Sequence, residues 1–314
     1  MTDVPAPALD LLCLGEPMRE FNRRPDGLWL AGFGGDVSNV AVAAARQGAR
    51  AGMLTRLGDD AFGEDIRGLW TAEGVDHAAV AADPEAPTAV YFVDHGPDGH
   101  RFFYRRAGSA ASRLSPANLP RAAIRSAARL HVSGISLAIS DTAADACFAA
   151  LEDARAAGRS ASLDPNLRLA LWSLPRARAV IHAAMALAEV ALPGLDDARL
   201  LTGLTAPEQI AEAYLALGPR IVALTLGAEG ALIATPERME RLAPHRVDAL
   251  DATGAGDAFD GAFLARLSAG DDAFAAGRHA NAAASLAVQG QGAVAPLPTL
   301  AATQACLAET KAGA

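Results

Sequence analysis

Short apolar segments alternating with helix-length amphipathic ones predict an α/β fold, a mainly parallel sheet covered on both faces by helices. Two observations carry this expectation. Strand-like runs recur along most of the chain, and 314 residues that are 51% hydrophobic can fill one large core. LDLLCLGE (Leu9–Glu16) reads as a buried strand, Val37–Gln47 as an alanine-rich helix and Ala51–Leu57 as the next strand, followed by a helix over Ala61–Glu73. The segments Arg129–Gly134, Ser160–Asn166, Glu189–Gly194 and Arg220–Gly227 repeat the strand theme, with helix-length stretches such as Asp141–Ala157 between them. Leu28–Phe33 and Thr88–Arg106 break the alternation. The latter reads as TAVYFVD, a turn at HGPDG, then HRFFYRR. These stretches hold many of the aromatic residues and suit a small β-lid, an ordinary edge hairpin being the alternative. The expectation is one domain over residues 1–314, with lid strands from about 16–34 and 88–108.

Composition excludes several functions. A formal charge of −9 and a pI near 5.3 leave no basic stripe to neutralise nucleic-acid phosphates. Cys13, Cys147 and Cys306 are widely spaced and contain no CxxC pair, so they read as small apolar residues. No apolar run is long enough to span a bilayer, which points to a cytoplasmic protein without a membrane partner. Lys311 is the sole lysine. P-loop chemistry, protein-kinase chemistry and Schiff-base catalysis each require an internal lysine, so phosphate chemistry here must use arginine, backbone N–H groups and metal.

DATGAGDAFDGAFLARL (Asp251–Leu267) reads as a glycine turn opening a helix. Gly254, Ala255 and Gly256 can converge their N–H groups on an anion, and the helix adds the positive end of its dipole. Asp257 follows immediately. Read alone, it suits either a base that takes a hydroxyl proton or an N-terminal cap.

This run resembles the C-terminal signature of the ribokinase-like (PfkB) carbohydrate kinases. Gly34–Asp76, beginning GGDVSNVAVAAARQGAR, resembles the family's N-terminal signature, and TLGAEGAL (Thr225–Leu232) its nucleotide-binding strand and turn. The resemblance implies a ribokinase-like α/β/α sandwich, a β-lid over the sugar, and ATP along the C-terminal half. It makes Asp257 the catalytic base and Gly254, Ala255 and Gly256 an anion hole. It sets Thr225, Gly227 and Gly230 beside the ATP, and Asn281 and Gly292 near the adenine, although Asn281 also suits a helix-surface amide. Asp251 either helps hold the metal region or braces the turn. The family's N-x-x-E is replaced by Gly194-Leu195-Asp196-Asp197, so Asp197 remains the carboxylate able to order water on Mg2+. A potassium requirement is a family expectation, and an edge strand with unpaired backbone groups is compatible with a homodimer.

Gly34, Gly35 and Asn39 are expected under the substrate. Neutral-sugar members usually carry aspartate five residues after the first-strand glycine. Counting from Gly15, this chain has Glu20, within LGEPMREFN. That departure, with HVSGISLAIS (His131–Ser140), FFYRRAGSAAS and LDPNLRLALW (Leu163–Trp172), resembles the 2-keto-3-deoxygluconate kinases. Their substrate carries a carboxylate, which arginine pairs with in two-point fashion. Arg106 and Arg168 fall at that subgroup's substrate positions, with surface or ion-pairing roles as the alternative; Tyr91 and Tyr104 would add hydroxyls, and His131 and His95 read as structural. The expected reaction is phosphorylation of the terminal hydroxyl of 2-dehydro-3-deoxy-D-gluconate by MgATP. A fructokinase or other neutral-sugar kinase is the nearest alternative, and a non-catalytic sugar or nucleotide sensor a more distant one. GFGGDVSN is not a dinucleotide-binding GxGxxG, so an oxidoreductase is disfavoured.

Overall fold

The computed structural model describes residues 7–96 and 99–312. In chain order its strands are β1 (Leu11–Leu14), β2 (Met18–Arg23), β3 (Trp29–Gly34), β4 (Ala51–Gly58), β5 (Asp76–Asp83), β6 (Val90–Gly96), β7 (Gly99–Arg105), β8 (Arg129–Ser133), β9 (Ser160–Asp164), β10 (Val190–Ala191), β11 (Ile221–Thr225), β12 (Ala231–Ala234) and β13 (Met239–Leu242). Nine of them form one sheet in the order β13-β12-β11-β10-β9-β8-β1-β4-β5. Its pairings are parallel except at the β11–β12–β13 edge.

β1 shows why the sheet needs helices on both sides. All four of its residues, LLCL, are buried. Successive strand side chains point to opposite faces. Leu12 and Leu14 therefore enter one core, with Cys147 and Leu151 of the helix Asp141–Ala156 and Ile181 of Leu174–Met185. Leu11 and Cys13 enter the other, with Val40 of the helix Asp36–Arg46 and Phe259 and Phe263 of Ala255–Ser268. A continuous apolar run is the signature of such a doubly covered strand.

The two irregular stretches form a separate four-stranded sheet, β3-β2-β6-β7, rather than an extension of the large one. It is antiparallel except for the β2–β6 pair. Pro97 and Asp98, within the expected HGPDG turn, lie outside the described residues, as do the side chains of His95 and Lys311. Several strands end earlier than their apolar runs suggest. The segment Glu189–Gly194 pairs as a regular strand only over Val190–Ala191, and Pro193, which has no N–H to donate, follows it. The thiols of Cys13 and Cys147 are fully buried and their pKa values are pushed up by burial, as apolar packing requires.

The two helices that carry the site touch through a glycine. A Cβ on Gly261 would lie 2.5 Å from the Cβ of Ala43 and 2.7 Å from the carbonyl oxygen of Val40. Gly261→Ala should force these helices apart and cost about 1–3 kcal/mol, the usual size of overpacking effects. Urea unfolding measures this directly; an unchanged midpoint would show that the contact is not tight.

Candidate active site

Asp257 sits in the first turn of the helix Ala255–Ser268, whose N-cap Gly254 adopts a left-handed φ of 77°. A side chain there would also meet the Ala293 carbonyl oxygen at 2.9 Å, so both conformation and space require glycine. Asp251 clamps this turn to the neighbouring loop. One carboxylate oxygen accepts the Thr253 N–H at 2.9 Å and the other accepts the Gly292 N–H at 2.9 Å. The geometry is that of a brace. Of the three expected anion-hole donors, Ala255 turns its N–H back to the Ala252 carbonyl at 3.2 Å. Gly254 and Gly256 have no such acceptor among the described residues, which leaves two free N–H groups at a helix N-terminus.

Asn39, on the helix Asp36–Arg46, donates its side-chain N–H to Asp257 at 2.7 Å. Burial is the main cause that pushes the Asp257 carboxyl up, to about 7, and the neighbouring Asp36 charge adds to it; the Asn39 bond and Arg168 pull the other way. An acid with this value changes protonation near neutral pH, which suits proton transfer.

Asp257 opens into a cavity of about 1040 Å³. Glu16, Asp36, Asp164, Asp197 and Asp260 also line it, facing only two arginines, Arg106 and Arg168. Sequence reasoning did not assign Glu16, Asp36, Asp164 or Asp260 to the site, because no local pattern shows that four separate elements converge here. Asp164 and Asp260 are raised well above the usual carboxylate range by burial and by their acidic neighbours. Asp36 and Asp260 each keep one oxygen without a hydrogen-bond partner among the described residues, as does the Asn39 carbonyl. Asn166 spans this cluster: it accepts strain at φ 28°, donates its side-chain N–H to Asp36 at 3.0 Å, and gives its backbone N–H to Asp164 at 3.0 Å. Orphaned polar atoms at a half-open cavity are what a ligand site presents.

The two arginines differ. Arg106 forms a buried ion pair with Glu16 at 2.6 Å, and Ser109 holds the other Glu16 oxygen. Arg106 is therefore already neutralised, although its Nε–H has no acceptor among the described residues. Arg168 donates to the Leu167 carbonyl at 3.0 Å and has no ion pair among the described residues. Tyr91 and Tyr104, stacked at 5.8 Å between ring centroids, form the wall that the small sheet supplies.

Gly35, Asn39, Tyr91, Tyr104, Arg106, Arg168, Asp197, Thr225, Gly254, Gly256 and Asp257 all line this one cavity. Gly34 does not. It packs behind Tyr91, where a Cβ would meet the phenol oxygen at 2.3 Å. Gly227 and Gly230 form the turn after β11, both at positive φ and outside the cavity lining. Asn281 is buried rather than a surface amide, and donates to the Ala243 carbonyl at 2.7 Å. Asp251 and Gly292 line a smaller adjoining cavity of about 270 Å³ together with Glu20. Asp197 accepts the Leu167 N–H at 2.8 Å. His131 is buried against Ser162 at 3.0 Å, and burial lowers its pKa to about 3, so it is a neutral structural residue as expected. No group of three or more His, Cys, Asp or Glu side chains among the described residues is arranged to hold a metal ion, and no described helix is long and apolar enough to cross a membrane.

Comparison with known proteins places the chain in a family. The family model for pfkB family carbohydrate kinases matches residues 9–300. The chain is 36% identical to the 2-dehydro-3-deoxygluconokinase of Thermoproteus tenax over 94% of its own length and 93% of that protein's. The Bacillus subtilis (strain 168) protein of the same name is also 36% identical, with 93% of each chain covered. Probable fructokinase-4 of Arabidopsis thaliana is 35% identical, covering 95% and 96%. Among solved structures, the fructokinase double mutant from Vibrio cholerae O395, in a fructose, ADP and potassium ion bound form, is 32% identical with a TM-score of 0.86, covering 96% of this chain and 100% of that one. A putative ribokinase II from E. coli in complex with ATP and Mg2+ is 25% identical with a TM-score of 0.88, covering 96% and 99%. The chain belongs to the pfkB family of carbohydrate kinases.

Proposed function

We propose that this kinase transfers the terminal phosphoryl group of ATP to the terminal hydroxyl of 2-dehydro-3-deoxy-D-gluconate. One observation carries the choice of an acid sugar: Arg168 lines a carboxylate-rich cavity without an ion pair of its own among the described residues. A guanidinium left unpaired among carboxylates suits a substrate carboxylate, which it can grip through two hydrogen bonds. The names of two relatives agree with that reading. The neutral-sugar reading draws on the Arg106–Glu16 pair, which removes one cation from the count, and on the fructokinase relatives.

Asp257 takes the proton of the attacking hydroxyl, and Asn39 holds its carboxylate in place for that transfer. The N–H groups of Gly254 and Gly256 meet the charge that builds on the phosphoryl oxygens. Thr225, with Gly227 and Gly230 in the following turn, borders the nucleotide, and Asn281 and Gly292 lie toward its base. The cavity is larger than a six-carbon acid needs, so it leaves room for the phosphates. Mg2+ would be carried by the nucleotide, and Asp197, which lines the cavity, would order its water shell. The ion would supply neutralisation of phosphate charge. Closure of the small sheet over the sugar would exclude water.

Four outcomes test this. Asp257→Asn should bind sugar normally and lose at least a hundredfold in kcat, within the usual range for a general base; retention of more than about a tenth would remove Asp257 from that role. Activity requires ionised Asp257, so kcat/KM for the sugar should fall as pH drops through about 7. Asp36→Asn deletes a charge that raises Asp257, and should move this acid limb to lower pH; an unmoved midpoint would contradict the electrostatic account. Arg168→Ala should raise KM for the keto-deoxy acid at least tenfold; a KM for the preferred substrate left nearly unchanged would favour the neutral-sugar reading.

A further inference from the structure

Glu20 lies outside the large cavity, on the side of the small sheet that also carries Tyr91 and Tyr104. In the ladder it stands directly beside Tyr91 on β6 and opposite Gly32 on β3. The Tyr91 hydroxyl donates to the Glu20 carboxylate, and both side chains are buried, at 7% and 6% exposure. Room for the pair comes from glycine at two places on β3. A Cβ on Gly34 would lie 2.3 Å from the Tyr91 oxygen, and one on Gly32 would lie 3.1 Å from a Glu20 oxygen. Larger side chains on that edge strand would displace the phenol, the carboxylate or both.

A phenol has one proton. Once that proton is given to Glu20, the Tyr91 oxygen can meet a ligand only as an acceptor. We propose that Glu20 is a positioning residue for sugar recognition: it orients Tyr91 so that the wall of the cavity accepts a hydrogen bond from a substrate hydroxyl and discriminates against groups that cannot donate. The proposal rests on the sugar-kinase site assigned above, but not on which sugar is preferred. The charge-assisted bond to a buried carboxylate holds the phenol in one orientation, whereas an amide in the same place both donates and accepts. The carboxylate never touches the reacting atoms. Its loss should therefore appear in KM and leave kcat near its original value.

The test is a double-mutant cycle with Glu20→Gln and Tyr91→Phe, read as KM and kcat for whichever sugar of a panel the parent enzyme phosphorylates best, with MgATP saturating. Each single variant should raise KM about tenfold with kcat within threefold, and the double variant should be no worse than either single, because both remove the same oriented acceptor. Gly34→Ala, which reaches the Tyr91 oxygen by a different route, should reproduce the KM effect. Additive losses in the double variant would overturn the assignment. So would a fall in kcat with KM unchanged, or a Glu20→Gln enzyme with normal KM. Thermal unfolding of each variant identifies any that fails to fold, in which case the Gly34→Ala pair with Tyr91→Phe decides. A preference for fructose would remove the acid-sugar reading and leave this cycle fully interpretable on fructose.

Discussion

The hydrogen bond from Asn39 to Asp257 joins residues 218 positions apart, and the arrangement of the candidate site depends on it. Asp257 lies where burial and the charge of Asp36 drive its proton on, while Asn39 and Arg168 draw it off and the Asn39 bond fixes the carboxylate. This bond exists only because the helices Asp36–Arg46 and Ala255–Ser268 pack closely through Gly261. Alanine at so many of the neighbouring positions serves the same close approach. Small side chains bring little apolar area each, but they bring backbone near backbone, and here that proximity sets the position of Asp257.

Charge explains the rest of the cavity. Carboxylates outnumber arginines in its lining, and Glu16 already engages Arg106. A polyanionic nucleotide would meet repulsion in such a site unless it brought its own cation and met local donors. The two free N–H groups at Gly254 and Gly256 are such donors, placed at the positive end of a helix. Raised pKa values for Asp164 and Asp260 reduce the negative charge further, because protonated acids can be buried where carboxylates cannot. Arg168 then stands out in the lining as the arginine with no ion pair among the described residues.

The glycine turn and its aspartate were legible in the chain because that chemistry is contiguous: Asp251, Gly254 and Asp257 lie within one short run. The doubly covered sheet was legible from runs such as LLCL, whose residues all need burial. Convergence was not. Asp36, Asp164 and Asp260 reach one cavity from a helix start, a strand end and a helix interior, and no spacing rule links them. Arg106 lines the cavity as its position suggests, while its buried partner Glu16 lies on the first-strand loop and could be found only in three dimensions. Likewise Ala255 suited an anion hole by its size, whereas the turn closes on its N–H.

The most direct test is the rate of ADP formation with MgATP across 2-keto-3-deoxygluconate, fructose, ribose, gluconate and a nucleoside. An Arg168-bound substrate carboxylate predicts a kcat/KM for the keto-deoxy acid at least tenfold above every other sugar. A fructose or ribose preference would contradict the acid-sugar assignment while keeping the kinase, and no turnover of any of them would contradict the catalytic role given to Asp257.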